Sequence, residues 1–193
     1  MMKNNKSDGF RLTFQNVNLL YPDLGKPIRV TYIPRDGKGL LQDDFGEGLD
    51  CTITSMADIF GPEYYGLIES FARRYGYNGN RWGTFAVTIR KIMQLVMNYI
   101  GGEYSAKKAK SAYLKNVGFK WDTCKNLSDR KILYILSLLN DGRNYYINHS
   151  IVVIGYVEYE NGRFLVVYDN WFPTSCLVDF NKMSIFSSIN WME

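Results

Sequence analysis

Asn148-His149-Ser150-Ile151-Val152-Val153-Ile154-Gly155-Tyr156, and then Phe164-Leu165-Val166-Val167-Tyr168-Asp169-Asn170-Trp171, are the stretches that decide how this chain folds. Both are dense in β-branched and aromatic residues, which suit a pleated, buried surface. Asn161-Gly162 lies between them and is a strong hairpin signal. With Tyr145 to Ile147, these segments predict strands at His149 to Val157 and Phe164 to Tyr168, and an antiparallel sheet in the last third.

Upstream of the sheet the periodicity changes to that of helices. Ile53, Met56, Ala57 and Phe60 recur at i, i+3, i+4 and i+7, with Asp50 placed to cap the start and Gly61 to stop the end. Pro62 suits the first position of a second helix that ends near Gly76. A third is expected from Thr84 to Gly101-Gly102, with Phe85, Ile89, Ile92, Met93, Val96 and Ile100 inward. A fourth is expected from Ser128, with Ile132, Ile135, Leu136 and Leu139 inward and Gly142 after it. Closer to the start, Ile28 to Ile33 reads as a strand, and residues 1–9 read as a polar, frayed tail. Helices followed by an antiparallel sheet make an α+β fold. The expected layout is one domain over 1–193, mainly helical at 50–142 and mainly β at 143–193.

A chain of 193 residues with 46% hydrophobic and 22% charged content is long enough to bury a real core. The net charge of +4 is mild. Lys107, Lys108, Lys110, Lys115 and Lys120 cluster near Tyr113 and Trp121; the reading is a solvated helix face, and no nucleic-acid partner is expected. Cys51, Cys124 and Cys176 are too few and too scattered for a disulfide framework. No CxxC pair occurs and only one histidine is present, so no metal site is expected. The start lacks the apolar core of a signal peptide, and no apolar stretch reaches about 18 residues, so the expectation is a cytoplasmic protein with no membrane partner. Oligomeric state is left open.

The single histidine, His149, limits any imidazole chemistry to one place. Cys51 stands at the expected start of a helix, where unpaired N–H groups and the positive dipole end favour a thiolate and can hold an oxyanion. Asp169 ends the strand that follows His149; a carboxylate there can fix the tautomer of the ring and stabilise its charged form. Asn170 is an alternative orienter. Taken singly, each residue has an ordinary reading: a small buried thiol, a hydrogen-bonded strand-edge histidine, a turn that ends a strand.

Taken in order, the three resemble the papain-like cysteine peptidase superfamily. Asp50-Cys51, on an amphipathic helix of small and hydroxyl residues, resembles its nucleophile helix. His149 to Tyr156, and then Val167 to Trp171, resemble its His-to-Gly-Tyr strand and its closing Asn/Asp-plus-Trp segment. The nearer look-alikes are the bacteriocin-leader-processing peptidases and their stand-alone bacterial relatives, although those show Cys-Gly where Cys51-Thr52 stands here. The resemblance implies a papain-like fold and a thiol hydrolase acting on a peptide or small amide without a cofactor. In it Cys51 is the nucleophile, His149 the base and then acid, and Asp169 the orienter. It also implies Gln42, nine positions before Cys51, as a second oxyanion donor. Trp171 would shield the ring, and Trp82 would line the cleft. The same triad serves acyl transfer in transglutaminase-like and arylamine-acetyltransferase-like proteins, and a papain-like scaffold can also persist as a binding module.

The register sets a condition. A strict two-residue turn at Asn161-Gly162 pairs Glu160 with Arg163, and hence His149 with Thr174. Asp169 would then be out of register and on the other face. The triad therefore requires a bulge or a wider loop.

Overall fold

The structure, a computed structural model, describes residues 11–33, 39–44, 49–78, 83–139, 146 and 148–193. The expected frayed tail at 1–9 and Trp82 lie outside the described residues. The elements in chain order are α1 (Val17–Leu20), β1 (Pro27–Tyr32), α2 (Cys51–Phe60), α3 (Tyr65–Tyr75), β2 (Tyr77–Asn78), β3 (Gly83–Thr84), α4 (Ala86–Ile100), β4 (Ala109–Tyr113) and α5 (Trp121–Asp129), followed by β5 (Tyr134–Leu138), β6 (His149–Tyr159), β7 (Gly162–Tyr168), β8 (Cys176–Asp179) and β9 (Ser188–Met192). Helices and an antiparallel sheet are combined, as an α+β fold requires.

Among the described residues, seven strands form the main sheet, in the order β4-β9-β5-β6-β7-β8, with β1 pairing β6 off this path. β6 is the spine. β7 pairs along one side of it, while β5 takes residues 149–153 and β1 residues 155–159 of the other. Gly155 permits the close approach of β1, because a Cβ there would stand 2.1 Å from the Thr31 carbonyl oxygen.

The β6–β7 hairpin turns at Glu160-Asn161, one position earlier than expected, with Tyr159 opposite Gly162. Pairing then runs to Gly155–Val166, shifts, and resumes at Val153–Val167 and Val152–Tyr168. Ile154 is the extra residue, and its carbonyl accepts the Ile33 N–H at 2.7 Å. The bulge exchanges the faces of the strand. Ile151 and Val153 share a core cluster with Tyr156, while Val152 and Ile154 share another with Val157 and Tyr159. Continued past Val152–Tyr168, the pairing sets Asp169 opposite Ile151, on the face of His149. Without the bulge it would fall opposite Val152. The register condition is thus met by a bulge.

The helical layer follows its periodicity. Ile53, Met56, Ala57 and Phe60 of α2 are buried with Ile68 and Ala72 of α3 and Ile89, Ile92, Met93 and Val96 of α4. Ile135 of β5 joins this cluster and couples the helices to the sheet. Gly61, at φ 121°, ends α2 by returning its N–H to the Ala57 carbonyl.

Three expectations are corrected. The helix expected from Ser128 is a strand: residues 134–138 are β5, buried on both faces but for Ser137. A continuous apolar run matches a helical spacing and a central strand equally well. The helix of that region lies earlier, at Trp121–Asp129, where the Thr123 hydroxyl accepts the Lys120 N–H at 3.2 Å. The lysine cluster is not one helix face: Lys110 is on β4, Lys120 caps α5, and Lys115 is buried with its ammonium on the Phe180 and Asn181 carbonyls at 3.0 and 3.1 Å. Residues 50–142 are still mainly helical, but they also contribute β4 and β5 to the sheet, and Thr84, expected as a helix cap, lies in β3 while Phe85 takes the N-cap of α4. Among the described residues no helix is long and apolar enough to cross a membrane.

Candidate functional site

The first turn of α2 packs on the first residues of β6. Thr52 donates to the Ser150 hydroxyl at 2.8 Å, and Ser55 to the Ser150 carbonyl at 3.1 Å. Asn170 ties both to the segment after β7. Its side-chain N–H groups reach Ser55 Oγ at 2.7 Å and the carbonyls of Cys51 and Ser150 at 3.2 Å each. Asn170 has φ 60°, a left-handed conformation that asparagine tolerates better than most residues. Cys51, His149, Asp169 and Asn170 thus converge at one end of the sheet, and Asn170 bridges α2 to β6.

The His149 ring is oriented by main chain. Its Nε2 lies 2.6 Å from the carbonyl oxygen of Asp169. A carbonyl only accepts, so the neutral ring carries its proton on Nε2, and the lone pair is on Nδ1. Trp171 stacks on the ring with centroids 4.1 Å apart and planes 22° apart, and Tyr146 stacks at 5.5 Å. His149 is 4% exposed. Burial pushes its pKa down from 6.5 to about 4, against the pull of the Asp169 carbonyl and carboxylate.

The Asp169 carboxylate does not orient the ring, which corrects the side-chain role expected of it. One oxygen accepts Arg11 Nε at 2.7 Å and the Tyr146 hydroxyl at 3.2 Å, and Cys176 Sγ lies 3.5 Å away. The other oxygen accepts the Trp171 and Phe172 N–H groups at 3.2 Å each. An anion with a buried cation and two backbone donors has no reason to turn to a neutral imidazole. Its own carbonyl, presented by the left-handed turn at Asn170, takes that position instead.

Cys51 opens α2 and is partly exposed. Burial of the sulfur pushes its pKa up, and the neighbouring Asp50 adds to this, while the backbone of Ser150 and Thr52 works in the other direction. Desolvation outweighs the helix dipole, which is worth about 1 kcal/mol. At rest the pair is a neutral thiol and a neutral imidazole, and no hydrogen bond joins the Cys51 thiol to the His149 ring.

Gln42 is buried beside this pair. Its backbone N–H donates to the Asn170 carbonyl at 2.9 Å, and its side-chain amide donates to Asp50 at 3.0 Å. One of its two amide hydrogens is thereby committed to Asp50, so only the other remains for an oxyanion. Asp50, wholly buried, also accepts from the Thr54 and Tyr65 hydroxyls rather than capping the helix backbone. Burial raises its pKa, and these donors act against the rise.

No protein-family model and no curated protein matches this chain.

Three residues of the site escaped the sequence reading. Arg11 is 158 positions from the carboxylate it holds, and no local pattern announces it. Tyr146 and Ser150 flank His149 closely in sequence, but only the packing gives them partners. Among the described residues, no group of three or more His, Cys, Asp or Glu side chains converges as a metal site.

Proposed function

We propose that this chain is a thiol hydrolase of papain-like fold that cleaves an amide or peptide bond through an acyl-enzyme. The observation that carries the reading is the joining of the Cys51 end of α2 to the start of β6, where the single histidine holds its proton on Nε2 and keeps the Nδ1 lone pair. That tautomer is the one a general base needs when its other nitrogen is fixed by an orienter.

With both groups neutral at rest, the route is general-base catalysis. As the Cys51 sulfur attacks the carbonyl carbon, its proton passes to His149 and the carbonyl oxygen becomes an oxyanion. In this reading that charge is assigned to the N–H groups of the first turn of α2 and to the remaining Gln42 amide hydrogen. The imidazolium then protonates the leaving amine and the C–N bond breaks, leaving a thioester on Cys51. Water attacks the thioester with His149 again as base, which releases the acid and restores the thiol. Trp171 screens the ring from bulk water during these steps.

The test uses a peptidyl electrophile that forms a thioether with an attacking cysteine. It should label Cys51 and spare Cys124, whose thiol burial pushes up to about 12, and Cys176, which burial also pushes up. Cys51→Ala should abolish labelling and peptide-amide hydrolysis, and His149→Ala should lower both by about 10²-fold or more. Equal labelling of the three cysteines would remove Cys51 as the nucleophile.

A binding module on the same scaffold is the second reading. It is favoured by the raised thiol pKa, the absent thiol–imidazole hydrogen bond and the diversion of the Asp169 carboxylate to Arg11. An unlabelled protein that, given a thioester substrate, passes the acyl group through Cys51 to added amines rather than to water would point instead to acyl transfer.

A further inference from the structure

A polar cluster surrounds the Asp169 carboxylate. Arg11 brings three donors to it. Nε meets Asp169 Oδ2 at 2.7 Å, while the two terminal nitrogens meet Thr174 Oγ1 at 3.3 Å and the Thr174 carbonyl at 2.5 Å. The guanidinium also lies over the Phe172 ring, 4.6 Å from its centroid. The Arg11 side chain is 14% exposed and that of Asp169 is fully buried. The pair is therefore well shielded, and separating it would leave a buried anion without its cation.

The consequence falls on His149. Its Nε2–H is held by the carbonyl of the same residue whose carboxylate Arg11 retains. A carboxylate at that nitrogen would stabilise the imidazolium strongly; a carbonyl does so weakly. We propose that Arg11 is a positioning residue for His149: by retaining the Asp169 carboxylate it leaves the ring to a neutral acceptor and so keeps the base uncharged.

The depressed proton affinity of the buried ring agrees with this arrangement. Tyr146 stacks on the ring, Cys176 meets Tyr146 at 3.0 Å, and Cys51 and Asp50 stand at the start of α2, which Asn170 ties to β6. None of these competes for Nε2, which is taken by the Asp169 carbonyl. The proposal rests on His149 as the base only for its catalytic meaning, since the positioning itself is read from the ring.

A chain with one histidine gives one imidazole signal, so His149 can be titrated by proton NMR in the full-length protein without substrate or thiol chemistry. Arg11→Met should release the carboxylate toward Nε2–H and raise the His149 midpoint by one unit or more, a tenfold or greater gain in proton affinity. Arg11→Lys, which keeps the cation, should stay within a few tenths of the parent. Arg11→Met combined with Asp169→Asn should cancel the rise. If Arg11→Met does not fold, Arg11→Gln keeps amide donors without the charge, and the same rise is expected. An unchanged midpoint in either folded neutral variant, or a rise that survives Asp169→Asn, overturns the proposal. Because the readout is independent of Cys51, a failed hydrolase assay leaves this result standing, and the reverse also holds.

Discussion

At the residue scale, His149 couples the site to pH. The free imidazole titrates near 6.5, and in the folded chain burial lowers this to about 4. Between those values the unfolded chain binds a proton that the folded chain rejects, so stability is full above pH 6.5 and falls as pH drops toward 4. The difference amounts to about 3 kcal/mol at most. Urea unfolding of the wild type should therefore weaken over that window by more than His149→Gln does, the carboxylates being common to both. Parallel pH dependences in the two proteins would show that the ring is not buried in its neutral form. The residue identities of the site were legible in sequence, because a single histidine, a helix-start cysteine and a strand-ending Asp-Asn leave few combinations. The atoms used were not. That Asp169 offers its carbonyl to the ring and its carboxylate to Arg11 follows from the turn at Asn170 and from a partner 158 residues away.

At the element scale, the bulge in β6 does the work that makes a site possible. It sets the segment after β7 on the face of His149, and Asn170 then bonds α2 to β6. Gly155 adjoins the bulge, where a methyl group would collide with the β1 backbone. Gly155→Ala should cost about 1–3 kcal/mol, the range for overpacking a closed site, read as a lower denaturation midpoint. Substituting Gly66, where a Cβ meets nothing within 4 Å, should not produce such a loss. Asn170→Ala removes three hydrogen bonds and puts a less suited residue at φ 60°, so a loss of about 2–4 kcal/mol is expected, read as a lower urea midpoint. The strands β6 and β7 were legible because both are β-branched and long. β5 was not, since Ile132 to Leu139 is apolar but for Ser137 and its spacing fits a helix as well as a strand.

At the scale of the whole molecule, helices and sheet share one boundary. Ile135 projects from β5 into the cluster of α2, α3 and α4, while Tyr134 and Leu136 face the opposite cluster under α5. Ile135→Ala should therefore destabilise by about 2–5 kcal/mol, with far-UV circular dichroism and tryptophan fluorescence shifting together in urea. A shift confined to one probe would mean that the two layers unfold independently. β9 lies between β4 and β5 and pairs antiparallel with both, so it joins the edge strand β4 to the rest of the sheet.

The sequence by itself determined the α+β character, the helices at Cys51–Phe60 and Ala86–Ile100, the β6–β7 hairpin and the four residues that meet at its end. These depend on local periodicity, turn chemistry and the scarcity of histidine, all of which act over a few residues. The tertiary structure alone decided the bulge at Ile154, the strand identity of β5, the insertion of β9 and the capture of Asp169 by Arg11. Each of those depends on which distant backbone or charge arrives beside a residue, and the energy of such an encounter is set by burial and geometry in the folded chain rather than by its sequence neighbours.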